Sequence, residues 1–215
     1  MSGPVRDALK LIDSKPLGYT SKIGIRMDGV AGDAAIRLRF AFPLISDLKL
    51  EQVALSAAAN LRGVAVPKVV RGWDVSEAKG NLALDGRGMT VKGDGKLQGV
   101  PVVFEWRENF DDAPRVRRRF EVTGRADDAA RQALDLPLQE KASGPIDAHV
   151  VAEQLTNGTS DIDVKLDLAP ARLRFDEIAW RKAAGKAAKA SFVLKLQGAG
   201  LSSLEELRAN ADDLD

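Results

Sequence analysis

The sequence predicts a mostly β fold, a meander of antiparallel strands with two or three short helices. Two observations predict it. Apolar and polar residues alternate with period two in segment after segment, the mark of strands with one apolar and one polar face. Short turn signals separate those segments, as hairpins require.

The clearest strand is Asp161-Ile162-Asp163-Val164-Lys165-Leu166-Asp167-Leu168, where four apolar residues point one way and four charges the other. Ile36-Arg37-Leu38-Arg39-Phe40-Ala41-Phe42 and Phe192-Val193-Leu194-Lys195-Leu196 repeat the pattern. Val100 to Arg107 is a further strand, with Pro101 favouring an edge or a strand start. Others are expected near 48–60, 81–85, 88–93, 116–125, 146–155 and 171–180. Asp85-Gly86, Asp94-Gly95 and Asn157-Gly158 are expected to supply the positive φ of tight hairpins. Gly93-Asp94-Gly95 precedes a strand rather than a helix, so it reads as a turn and not a phosphate loop.

Residues 4–14 put Val5, Ala8, Leu9 and Ile12 on one helical face, after Pro4. A short helix near 128–134 follows Asp127, a suitable N-cap, and stops before Pro137. A third is expected at 203–209, where Ser202 and Glu205 have capping-box spacing, within a polar C-terminal stretch from 202 to 215. Residues 80–107 and 144–181 loosely echo each other, each ending in Trp-Arg. Ala183 to Lys189 reads as an exposed linker.

Composition removes much chemistry. Of 215 residues, 45% are hydrophobic, enough for a folded core, and 5% are aromatic, so Val, Leu, Ile and Ala must fill it. Thirty-two Lys and Arg against 31 Asp and Glu give no global field for nucleic acid. With no cysteine there are no disulfides or thiolate sites, and the single His149 rules out multi-histidine metal sites. No cofactor is expected. No stretch approaches the roughly 18–20 apolar residues of a helical membrane span, and Met1 to Asp7 lacks a signal-peptide pattern, so the chain reads as soluble.

Candidate polar sites have structural readings. His149 lies on the polar side of its strand if Ile146 faces inward, with no evident base partner. Trp73, Trp106 and Trp180 adjoin charges at expected strand ends, where indoles close a core or sit at a sheet rim. Asp111-Asp112 and Asp127-Asp128 occupy loop and cap positions, and Asn157-Gly158-Thr159 reads as a turn. No enzyme constellation remains. Arg117, Arg118 and Arg119 form the densest cationic cluster, suited either to a solvated strand face or to weak contact with lipid headgroups.

A long run of one-sided strands must hide its apolar face. A closed sandwich does so against a second sheet, and a curved open sheet against an apolar ligand; alternation alone permits both. Several segments bear on the choice: Ala8 to Tyr19, Arg37 to Leu44, Val70-Arg71-Gly72-Trp73-Asp74 with Gly80-Asn81-Leu82, and Leu97 to Val102. In their order the chain resembles the AsmA-like family, in particular its YhdP-type members, over most of residues 5–200. The resemblance implies a single segment over 1–215, a curved antiparallel sheet forming an open, repeating β-groove, within a larger bacterial envelope protein. The implied parent is anchored in the inner membrane by an N-terminal helix absent here, with its groove on the periplasmic side. The implied partner is phospholipid, passed toward the outer membrane, with the membrane and other envelope proteins reached through the rest of the parent. The expected groove lining is Ile36, Leu38, Phe40, Phe42, Val102, Phe104, Ile162, Val164, Leu166 and Leu168.

Overall fold

In the computed structural model, which describes residues 2–13, 28–45, 54–70, 72–111, 115–136, 138, 140–198 and 200–211, the alternating segments become fourteen strands. These are β1 (Ser2–Pro4), β2 (Ala31–Ala41), β3 (Ala54–Val70), β4 (Trp73–Leu84), β5 (Gly88–Leu97), β6 (Val100–Asn109) and β7 (Val116–Ala126). After them come β8 (Ala142–Ser143), β9 (Ile146–Leu155), β10 (Thr159–Asp167), β11 (Arg172–Phe175), β12 (Trp180–Lys182), β13 (Ala188–Gln197) and β14 (Gly200–Ala211). Helix α1 spans Val5–Asp13 and α2 spans Asp128–Ala133. Residues 48–53 of one expected strand, the stretch 14–19, Arg71, Asp112 and the last four residues lie outside the described set.

Eleven strands form one antiparallel sheet in the order β1-β2-β3-β4-β5-β6-β7-β9-β10-β13-β14, not closed into a barrel. Apart from two excursions, each strand pairs with its predecessor in sequence, which is the expected meander. The excursions, after β7 and β10, meet in a small sheet of order β12-β11-β8. Its core is Ala142, Ile146, Ala171 and Leu173. Lys182, 4% exposed, braces it: Nζ donates to the carbonyls of Ala169, Ala171, Ala183 and Lys186 at 2.8–3.2 Å. Four carbonyls thus satisfy an ammonium that burial would otherwise penalise.

The remaining core lies on one face of the large sheet. Val5 of α1 packs with Val30, Ala34, Val64 and Ala78, so the helix covers strands β2 to β4. Leu84, Met89 and Val91 pack with Trp106 and Phe110. Asp127 caps α2 as expected, its Oδ1 accepting from the Ala130 amide at 2.8 Å.

Five local expectations are corrected. The helix expected at 203–209 is strand β14. Leucines at 201, 204 and 207 suggest a helical period, but β13 offers an unpaired edge whose hydrogen bonds override it. Register shifts insert one extra residue, so Leu201 pairs with Leu196 and Leu204 with Leu194, and a spacing of three returns to the same face. Glu206, at φ 51°, sits in the second shift. The strand expected at 171–180 is split into β11 and β12 by a 3-10 turn at Asp176–Ile178, closed by left-handed Ala179.

Asp94-Gly95 is not a turn but the middle of β5; the hairpin closes at Gln98 and Gly99, both at positive φ. Gly93 serves close approach instead. It pairs with Gly80 across β4 and β5, and a Cβ on Gly93 would stand 2.1 Å from the Lys79 carbonyl oxygen. The turn at 85–87 exists without positive φ: Asp85 Oδ1 accepts from the amides of Arg87 and Gly88. Trp106 lies inside β6 rather than at a strand end.

Replacing Gly93 with Ala should therefore push β4 and β5 apart and lower stability by about 1–3 kcal/mol, the usual cost of overpacking. Urea unfolding checks it; a midpoint equal to the parent's would contradict the close approach.

Candidate functional site

The pleat assigns each strand residue to a face. Across β2 to β13 one face carries an apolar row on every strand. For example, Leu61, Gly80, Gly93, Phe104, Val122, Val150, Val164 and Phe192 are successive cross-strand neighbours. The side chains of this row, the two glycines apart, line the floor of a groove of about 1760 Å³ that runs across the strands from β2 to β13. Val5 and Leu9 of α1 line it at one side, and Leu134, Leu136 and Leu138, which follow α2, at one rim.

Seven of the ten expected lining residues are brought together there: Ile36, Leu38, Val102, Phe104, Ile162, Val164 and Leu166. The other three lie elsewhere. Phe40 and Phe42 are half-exposed at the end of β2, and Leu168 packs into the core of the small sheet. The expectation also undercounts the floor, which includes Trp73, Leu82, Met89, Trp106, Phe120 and Leu194. For Phe120 and Val122 the alternation is legible beside Glu121 and Thr123. For Trp106 and Met89 it is hidden by charges and glycines in the same strand.

Two buried charged groups at the floor are paired, although the Nε of one of them, Arg131, has no hydrogen-bond partner. Glu108, 2% exposed, shares a face with Trp106 and is held by Arg118 (Nε at 2.6 Å, Nη2 at 3.0 Å) and by the Trp106 indole N–H at 3.1 Å. Arg131, also buried, donates to the carbonyls of Ala126, Ala142 and Gly144 and pairs with Asp128. The guanidinium thus ties α2 to the groove rim.

The three clustered arginines do not form one surface. Arg118 lies on the groove face and is paired with Glu108, Arg119 lies on the opposite face with Glu121 and Glu153, and Arg117 is exposed at a register shift. His149 joins the outer set, its Nε2 3.0 Å from Glu121 Oε1.

That outer face is a lattice of cross-strand ion pairs: Lys79 with Asp94, Lys92 with Glu105, Arg125 with Asp147, and Lys195 with Asp161. A hollow of about 700 Å³ opens there over Gly80 and Gly93, bordered by opposed charges. Among the described residues no three His, Asp or Glu side chains are grouped to hold a metal ion. Nor is any helix long and apolar enough to cross a membrane, which says nothing of spanning by strands.

No family model, curated protein or solved structure matches the chain. The site's chemistry therefore rests on its own geometry: an elongated groove lined mainly by apolar side chains.

The lattice makes stability depend on pH. Burial pushes the Glu105 carboxyl up, but hydrogen bonds from Lys92 and Arg107 outweigh it and hold the group below its ordinary 4.5. The His149 contact and then Arg119 hold Glu121 below the same value. Both carboxyls are lower in the folded state, so their contribution is complete above about pH 4.5 and is lost as pH falls through the folded values. The thermal midpoint should stay level from pH 7 to about pH 5 and then drop, more shallowly in Glu105→Gln/Glu121→Gln. An equal acid drop in that variant would contradict the assignment.

Proposed function

We propose that the chain is a non-enzymatic lipid-binding segment whose groove shields phospholipid acyl chains from water, as part of a path between inner and outer membrane. The observation that carries this reading is the apolar floor, continuous from β2 to β13. A groove of about 1760 Å³ exceeds the roughly 300–1,000 Å³ of ordinary small-molecule pockets. At about 4.8 Å per strand, eight steps from β2 to β13 span roughly 38 Å. An acyl chain reaches about 15 Å, half the hydrocarbon thickness of a bilayer. The floor is thus long for one ligand and suited to a chain that slides.

The energetics favour such a device. Exposing sixteen methylenes to water costs roughly 13 kcal/mol, and covering them along the path removes that barrier. Headgroups can stay in solvent, so no catalytic residue is needed. The resemblance to AsmA-like proteins supports the same function and a periplasmic setting at the inner membrane, with other envelope proteins as neighbours.

Native mass spectrometry of protein purified without detergent, with lipid extraction, tests the reading against Val164→Asp/Leu166→Asp. Phospholipid should accompany the parent and be missing from a still-folded variant. A folded, lipid-free parent would leave a structural module as the better account.

A further inference from the structure

We propose that Arg131 is a fixed contact for the polar end of a lipid, its Nε–H donating to the ester carbonyl where an acyl chain joins glycerol. The inference deepens the lipid-groove reading and rests on it.

A guanidinium carries five N–H donors. In Arg131 four of them are matched. Nη1 donates to the carbonyls of Ala126 at 3.0 Å and Gly144 at 2.6 Å, and Nη2 to the carbonyl of Ala142 at 3.2 Å and to Asp128 Oδ1. The fifth, on Nε, has no acceptor among the described residues. The side chain is 2% exposed and is part of the groove lining. A buried donor without a partner is costly and rare in folded proteins, so it asks for a reason. The four matched bonds hold the guanidinium in one place, and an oxygen brought in by the groove's ligand completes the set.

Chemistry selects that oxygen. Asp128 already balances the guanidinium charge, so a phosphate or a free carboxylate would bring a second anion beside the first. The lining nearby is apolar, with Leu134, Leu136 and Ile146, and an extra charge there would be penalised. An ester carbonyl is uncharged, accepts a hydrogen bond, and is the first polar atom that follows an acyl chain. Gly124, Ala126 and Ala148, on the same face of β7 and β9, have side chains short enough to leave width for the branched glycerol.

Position agrees with length. Ala126, which takes one of the four bonds, ends β7. From β7 the floor passes β6 and β5 to β4, where α1 begins to cover it. Those three steps of about 4.8 Å make roughly 14 Å, close to the roughly 15 Å of an acyl chain. A carbonyl held at Arg131 therefore lets one chain fill the floor up to the helix, a resting position on the path.

Competition between a diester and a diether phosphatidylcholine of equal chain length tests the proposal, because the ether lacks only the carbonyls. The delipidated full chain is offered both in equal amounts, and native mass spectrometry reads the ratio bound. The diester should be preferred at least about fivefold, the value of one hydrogen bond. In Arg131→Lys, which keeps the charge and loses Nε, the ratio should fall to near one. Since Arg131 also braces the rim, a second readout leaves the chain unchanged. With isotope-labelled arginine, one Nε–H resonance should shift on adding the diester and stay in place on adding the diether. Equal binding of the two lipids would overturn the proposal and leave the groove standing, whereas binding of neither would remove both. A preference that survives in folded Arg131→Lys would also overturn it, by placing the donor elsewhere.

Discussion

Everything in this structure answers to one constraint: among the described residues, a wide sheet, apolar along one face, has no second sheet to cover it. In a sandwich the two apolar faces satisfy each other. Here cover comes piecemeal. Helix α1 closes the floor over β2 to β4, Phe110 and Trp106 pack over Leu84, Met89 and Val91, and the residues after α2 line one rim. The floor between is lined but not filled, so burial of apolar surface, the main favourable term in folding, is left incomplete by the chain alone. An apolar ligand would complete it.

A floor of that kind needs rigidity from elsewhere. The cross-strand ion pairs of the outer face tie β4 to β5, β5 to β6, β7 to β9 and β10 to β13 in register, although each exposed pair contributes little. Register matters because a one-residue slip would exchange the apolar and charged faces of a strand. Glycines 80 and 93 let β4 and β5 approach more closely than any side chain would allow. The buried cations Arg131 and Lys182 spend their hydrogen bonds on backbone carbonyls, fixing the excursions that form the rim and the small sheet.

Much of the architecture was legible because period-two alternation reports the pleat directly. Asp161 to Asp167 reads the same in sequence and structure: Ile162, Val164 and Leu166 line the groove while Asp161 and Lys165 face away. The alternation fails where chain irregularity intervenes. The leucines of β14 look helical because bulges in the pairing with β13 are long-range events without a local signature. Asp94-Gly95 looks like a turn because a glycine needed for close approach and one needed for positive φ are the same letter. Leu168 continues its strand's pattern, yet β10 ends at Asp167 and the residue turns into the core of the small sheet. The pairing of Glu108 with Arg118 joins two strands through a register that neither segment encodes alone.

The central claim is that one face of each strand meets lipid and the other does not. Photo-crosslinking along β10 tests it most directly. A photoreactive residue would be placed singly at each position from 161 to 166 in protein loaded with radiolabelled phospholipid. The account predicts crosslinks at 162, 164 and 166 and none at 161, 163 and 165. Label at all six positions alike, or at none of them in folded protein, would contradict the groove.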